Sequence, residues 1–263
     1  MSIKLCIMSP VNCLTTFSDE GDMLLALPHI VQKSTEYKEY YNMSDKRIIL
    51  DSGVIELGLP MNYEKLMKIG EKIGALEIAL PDYLHDSVNT ITSAKNIYRK
   101  YRDTEIIKKY RYMGIVQGNN LNDWLKCFEQ LASIEMISTI GIGIYSVNHV
   151  FSAITKKMDC FSNRIKCIEI LTQKNMLPSG KVIHLLGLGE PRELLYQKQY
   201  PFIRSCDTTR PILYGMQGRR YTKDGRIIGG EYKGKKMNYF MNVPKSNYED
   251  IMFNINILKK MAK

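Results

Sequence analysis

The sequence predicts an α/β chain folded as a (β/α)8 barrel of the TIM type, and three observations predict it. Short apolar, β-branched runs recur seven or eight times along 263 residues. The runs are continuous rather than alternating, the pattern of strands buried on both faces and hence of a parallel sheet. Amphipathic segments of helical period separate them. A doubly wound open sheet is the alternative, but no GxGxxG or GxxxxGK[ST] follows the first run, so the phosphate-binding turn of that fold has no counterpart in the sequence.

The first strand is expected in IKLCIMS (3–9) and the next in RIILDSG (47–53). Residues 10–46 between them read as one long connection, tyrosine-rich near its end in EYKEYYN. ALEIALPD (75–82), YMGIVQG (112–118), ISTIGIGIY (137–145), VIHLLGLG (182–189) and FIRSCD (202–207) follow, with MNYFMNV (237–243) as a weaker eighth run. Across 87–101, Val88, Ile91, Ala94, Tyr98 and Tyr101 keep helical spacing, and Ser87 is the expected N-cap. Leu121, Trp124, Leu125, Phe128 and Leu131 form another apolar face across 121–132. Ser246 and Glu249 fit a capping box for the last helix, whose buried stripe is Ile251, Ile255 and Leu258. No repeat or linker interrupts the pattern. The expectation is one domain over 1–263 with a basic, glycine- and tyrosine-rich insertion at about 208–245.

A composition of 44% hydrophobic and 24% charged residues supports a folded core and argues against wholesale disorder. The formal net charge of +10 favours an anionic partner, nucleic acid foremost. Most of the excess lies in 208–245, where nine basic residues, including Arg210, Arg219, Arg220 and Lys223, face Asp224 and Glu231. Basic residues interleaved with Tyr214, Tyr221, Tyr232 and Tyr239 suit phosphate contacts and base stacking. A second cluster at 95–111 reads equally well as the outer face of a helix. The six cysteines form no CxxC pair and no two histidines sit at ligand spacing, so a metal has no support and free thiols in a reducing cytoplasm are expected. The N-terminus has no signal-peptide pattern, and no run approaches the roughly 18 apolar residues of a membrane span, so a soluble cytoplasmic protein is expected.

In a barrel, the C-terminal ends of the strands converge on one mouth. Asp51, Asp82, Gln117, Gly143, Gly187, Gly189 and Asp207 all fall at such ends. Each has a local explanation: Asp51-Ser52-Gly53 reads as a turn, Pro81-Asp82 as a helix start, and Asp207 before Thr208 and Thr209 as turn chemistry. Three carboxylates and an amide at the same end of different strands read better as one site. His184 lies early in its strand and reads as core or bottom face, His85 as a loop residue near the site, and Trp124 as helix core.

These motifs resemble those of the tRNA-guanine transglycosylases. ILDSGVIELG is similar to their DSGG-type motif, MGIVQG to their GIVQG strand and IGIGIY to their glycine-rich turn. HLLGLGEPREL resembles their GVGxPxxL segment, and SCDTTRP the strand that ends in their nucleophilic aspartate. The five occur in the family's order across 47–211, and the pattern over 21–58 looks closer to the phage and bacterial DpdA-type DNA-guanine transglycosylases. The resemblance implies exchange of guanine in DNA for a free 7-deazaguanine base, without cofactor or metal, in a bacterial or phage-infected cytoplasm. It implies Asp207 as the nucleophile that forms a glycosyl-enzyme intermediate and Asp51 as the group that handles protons. Asp82 and Gln117 would read the purine edge, with Ser52, Gly118 and Gly187 around the base, and main chain near Gly143 and Ile144 would sense the 7-substituent.

The chemistry asks for the same residue types. Replacing one N-glycosidic base by another at the same face takes two displacements, which suits a nucleophile that leaves as well as it attacks. A carboxylate does so and stabilises a cationic sugar-like transition state. A second carboxylate supplies acid/base help. A carboxylate facing the two N–H donors of guanine rejects adenine, which would oppose an acceptor with an acceptor. Two departures from the family stand out. Val54, Ile55 and Glu56 occupy the stretch where the family carries a base-stacking aromatic, and no cysteine follows Cys206, so the family's cysteine-rich zinc subdomain is not expected. A zinc-free tRNA enzyme, a catalytically silent nucleic-acid-binding barrel and a glycoside hydrolase are the alternatives. Retention of both Asp51 and Asp207 argues against the silent barrel, and the basic segment and GIVQG against the hydrolase.

Overall fold

Eight parallel strands form one sheet in the order β1-β8-β7-β6-β5-β4-β3-β2. They are β1 (Lys4–Ile7), β2 (Leu24–Ala26), β3 (Ile48–Leu50), β4 (Glu77–Ala79), β5 (Arg111–Ile115), β6 (Ile137–Gly143), β7 (Val182–Leu186) and β8 (Ile203–Thr208). In this computed structural model, residues 2–156, 160–177, 179–231, 234 and 236–263 are described. β1 pairs with β8 over Lys4↔Ser205 to Ile7↔Thr208, and the last strand in the order, β2, meets β1 again at a parallel bridge between Cys6 and Met23. The sheet is therefore a (β/α)8 barrel with one thin seam, where Leu5 O accepts from the amides of Asp22 and Met23.

The apolar runs build this barrel because they are buried on both faces: Ile48, Ile49 and Leu50 of β3 and Ile78 and Ala79 of β4 are all in the core. Both expected helices form, though in the first the buried face is centred on Ala94 and Ile97, and Val88, placed on it by spacing, is exposed. Ser87–Tyr101 buries Ala94 and Ile97, and Leu121–Ala132 buries Trp124, Cys127, Phe128 and Leu131. Trp124 is core, with its indole N–H donating to Ser146 Oγ at 3.0 Å. Among the described residues, no helix is long and apolar enough to cross a membrane.

The barrel interior is not wholly apolar. Arg204 of β8 reaches Glu77 of β4 with two bonds, 2.7 and 3.1 Å, and Thr139 Oγ1 of β6 at 3.2 Å. β8 and β4 are four strands apart in the order, so this ion pair crosses the barrel. Glu77 is fully buried and the guanidinium holds its carboxyl below the ordinary carboxylate range in spite of burial.

Four local expectations are corrected. The connection 10–46 contains a strand, β2, whose three residues are too few to show a run. MNYFMNV (237–243) is not a strand: with β2 in place the barrel is complete without it, and it crosses instead toward the chain after β1, where Val11 N donates to Tyr239 O at 2.8 Å. The helix at 87–101 is capped by Asp86, whose Oδ1 accepts from Asn89 N, and not by Ser87, which lies inside the first turn. Ser246 belongs to a 3-10 turn, Lys245–Asn247, so the last helix, Tyr248–Ala262, starts without a side-chain cap and the capping box does not form.

The basic segment is largely built into the scaffold. It opens with the helix Arg210–Gly215 and continues into a two-stranded hairpin, β9 (Arg220–Tyr221) and β10 (Ile227–Ile228). Tyr221 is buried, and its amide donates to Asn254 Oδ1 of the last helix at 2.7 Å. Tyr232, Lys233 and Lys235 lie outside the described residues.

Candidate active site

Because all eight strands are parallel, their C-terminal ends share one mouth, and a cavity of about 810 Å³ opens there. Asp51, Ser52, Asp82, Gln117, Gly143, Ile144, Gly187 and Asp207 all line it. These expected residues come from six different strand ends, β3 to β8, and the structure brings them together.

Asp207 sits near the end of β8, buried, with its carboxylate held on one oxygen. Oδ1 accepts from Gly187 N at 2.9 Å and faces His184 Nε2 at 3.3 Å. Gly187 has φ +73°, a left-handed conformation that turns its N–H back toward β8 and that L side chains rarely adopt. That turn is held from outside by Arg164, fully buried, whose guanidinium donates to Leu186 O at 2.7 Å and to Gly187 O at 3.3 Å. Arg164 is in turn bidentate to the buried Glu193, at 2.6 and 2.8 Å. Ile144 closes the same corner, since a Cβ on Gly187 or Gly189 would meet its side chain at 3.1 Å.

Asp51 and Asp82 lie beyond the ends of β3 and β4 and differ in their surroundings. Asp51 Oδ2 accepts from Gly53 N at 3.0 Å. Burial, then the nearby charges of Glu56 and Asp82, push its carboxyl up to about 8. Asp82 accepts from Ser52 Oγ on Oδ1 at 2.6 Å and from Gln117 Nε2 on Oδ2 at 2.7 Å. Burial outweighs these donors and raises it to about 6. The Gln117 amide is fixed at its other end, where Oε1 accepts from His85 N at 3.1 Å. His85 takes φ +63° to present that N–H, and its ring stacks on His149 with centroids 4.0 Å apart. His85 thus supports the site through its main chain and does not line the cavity.

Four of the residues singled out in the sequence lie away from the cavity. Gly118 does not line the cavity; a Cβ there would lie 2.6 Å from Trp124 N, so this glycine lets the strand end approach the next helix. Of the four basic residues singled out, Arg210 lines the cavity and Arg219, Arg220 and Lys223 do not. Arg220 pairs with Glu249 and Asp250 of the last helix, and Arg219 stacks over Tyr214 with its guanidinium carbon 4.9 Å from the ring centroid. Lys33 and Lys236 line the mouth instead.

The sequence also underplayed several cavity residues. Glu56 lines the mouth and is raised by burial. His29 lines it too, and its Nδ1 is buried without a partner among the described residues. Tyr145, Tyr239 and Phe240 supply aromatic surface where no aromatic follows Gly53; Tyr145 is 50% exposed and Phe240 56%. His184 is in the core as expected, yet it touches Asp207, and the signal was present: a polar residue in an apolar strand, beside Ser205 and Asp207 spaced by two on the neighbouring strand.

Against this geometry stands one curated relative. A tRNA-guanine(15) transglycosylase of Methanococcus aeolicus (strain ATCC BAA-1280 / DSM 17508 / OCM 812 / Nankai-3) is 24% identical over 216 residues, 75% of this chain. The chain spans 30% of that relative's length. No family model matches the chain. The similarity, though distant, supports a relationship to the tRNA-guanine transglycosylase-like superfamily.

Proposed function

We propose that this chain is a guanine transglycosylase that exchanges guanine in a nucleic acid, DNA foremost, for a 7-deazaguanine base. The observation that carries the reading is the pairing of two unlike carboxylates on one cavity. Asp207 has one oxygen engaged by N–H donors, and among the described residues no donor bonds its Oδ2. Asp51, raised to about 8, holds a proton at neutral pH.

In the first displacement Asp207 Oδ2 attacks the anomeric carbon, the bond from that carbon to guanine breaks, and the electron pair leaves with the base. Asp51 gives its proton to the departing guanine. In the second, the incoming 7-deazaguanine attacks the same carbon, Asp51 takes back a proton, and Asp207 is released as carboxylate. Asp82, fixed by Ser52 and Gln117, keeps lone pairs on both oxygens for guanine's N–H groups. Ile144, packed against Gly187 and Gly189, borders the 7-position, and Tyr145 or Tyr239 supplies the stacking surface.

The target nucleotide must leave the stack for its anomeric carbon to be attacked. Lys33, Arg210 and Lys236 at the mouth suit its flanking phosphates, and Phe240 and Tyr145 its neighbouring bases. DNA is favoured by the resemblance of residues 21–58 to the DNA enzymes. The name of the curated relative favours a second reading, tRNA as the polymer. One experiment tests both: nucleoside mass spectrometry of DNA and of tRNA, each incubated with the protein and candidate 7-deazaguanines. Incorporation into DNA alone supports the first reading and into tRNA alone the second; incorporation into neither overturns the transglycosylase assignment.

A further inference from the structure

Behind Asp207 a chain of polar groups runs through the barrel interior and reaches His184 at Nδ1, while Asp207 faces its Nε2. Arg204 is bound to Glu77 through both terminal nitrogens, and its remaining Nε–H donates to Ser205 Oγ at 3.0 Å. A guanidinium only donates, so Ser205 Oγ accepts here. The Ser205 hydroxyl hydrogen is then available for its other partner, His184 Nδ1, at 2.7 Å. Ser205 Oγ keeps a second lone pair, so the direction of this bond is set from the far side of the ring: a carboxylate at Asp207 Oδ1 only accepts, which calls for the hydrogen on His184 Nε2 and, in a neutral ring, leaves Nδ1 to accept from Ser205. Every member from Glu77 to His184 is shut off from solvent or nearly so; the Arg204 side chain is 13% exposed and that of His184 0%.

We propose that His184, as its Nε2–H tautomer and backed by Ser205, Arg204 and Glu77, is a positioning residue that ties down Asp207 Oδ1 and presents Oδ2 to the anomeric carbon. The proposal rests on Asp207 being the nucleophile. The donor from Gly187 holds the same oxygen from the main chain, so the two N–H groups fix the carboxylate plane between them. At 3.3 Å the His184 contact is the longer of the two, against 2.9 Å from Gly187. His184 transfers no proton in this scheme. Its work is orientation, and the ion pair at the far end of the chain backs Ser205 without touching the substrate.

The test traps the glycosyl-enzyme adduct on an oligodeoxynucleotide, or on tRNA if that is the substrate, without incoming base, and follows its rate by protein mass. His184→Phe should slow adduct formation by about 10²-fold while the Kd for free base changes by less than about 2-fold. His184→Gln, whose carboxamide offers an N–H donor without a tautomer to set, should recover about 10-fold of that loss. Ser205→Ala should slow the native enzyme by about 10-fold, yet add little to His184→Gln. Equal losses for the Phe and Gln variants, or a Ser205→Ala effect undiminished in the Gln background, would overturn the proposal. Thermal melts of each variant identify any loss that comes from misfolding. Nitrogen chemical shifts of His184 in the native protein report its tautomer independently of activity: Nε2–H is expected, and Nδ1–H or a doubly protonated ring would overturn the assignment. If wild-type protein forms no adduct on DNA or tRNA, the nucleophile reading fails, and the shifts still decide the tautomer.

Discussion

The two sides of the mouth hold their carboxylates in opposite ways. On the β7–β8 side, Asp207 is bound by Gly187 and His184, and each of these donors is backed by a buried ion pair, Arg164 with Glu193 and Arg204 with Glu77. On the β3–β4 side, Asp51 has a single main-chain donor and carboxylate neighbours in Glu56 and Asp82. Donors without a nearby cation beyond them leave desolvation and like charge in control, and the proton stays. In the proposed mechanism Asp207 is the fixed acceptor and Asp51 the proton reservoir, the separation of roles that a two-step displacement requires. Buried ion pairs are poor sources of stability in themselves. Their position behind Asp207 fits a role in orientation.

The sharpest way to break this comparison is Asp207→Asn. It should abolish the covalent adduct and all exchange of labelled guanine while leaving the melting curve in place; exchange near the wild-type rate would remove Asp207 from the chemistry. Asp51→Asn is expected to cost about 10²–10⁴-fold in exchange rate, the usual range for a lost general acid, measured by single-turnover kinetics. The same change should stabilise the fold. Asp51 rises from an ordinary 3.8 to about 8, so the stability it contributes is full below about 3.8 and lost as pH climbs toward about 8. Removing the titration should raise the melting temperature at pH 8, and a lower melting temperature would contradict the proton-reservoir reading.

Asp82→Asn probes the recognition half of the β3–β4 side. Loss of its acceptor should cost guanine-type substrates about 2–4 kcal/mol in kcat/KM; an unchanged value would exclude Asp82 from base recognition. The rate of the native enzyme should fall below about pH 6, where Asp82 protonates, and above about pH 8, where Asp51 loses its proton. Asp82→Asn should remove the acid limb alone. The smallest effect concerns the polymer. Neutralising Lys33 and Lys236 together should reduce the salt slope of nucleic-acid binding by about 2 and leave base binding unchanged. Neutralising Arg219 and Arg220, which contact Tyr214 and the last helix, should lower thermal stability with little change in slope. The reverse pattern would restore the hairpin as the nucleic-acid surface.

Much of this was legible in the sequence because parallel strands convert chain order into position. Once the runs are strands of one barrel, Asp51, Asp82, Gln117 and Asp207 must meet at one end. Gly187 was legible as a strand end, but its N–H bond to Asp207 was not, since it depends on a neighbouring strand's register. β2 escaped because three residues carry no period. The pairing of Arg220 was not legible, because charge density along the chain says nothing of where the acidic partners fold. Glu249 and Asp250 come from a helix nearly thirty residues later. His184 was read by its depth in the strand, when its partner lay above it on β8.

The seam between β1 and β2 has a mechanical consequence. Every other neighbouring pair of strands is zipped by a ladder, whereas these two meet at one bridge beside Leu5. Asp207 rides on β8, in register with Cys6 of β1, and the Asp51 amide is bonded to Ala26 O of β2. The weakest joint of the ring therefore runs between the strand that carries one carboxylate and the strand that anchors the other. Local opening of the ring is expected first at that joint, and hydrogen exchange at the amides of Asp22 and Met23, faster than at amides paired within the strand ladders, is the measurement that checks it.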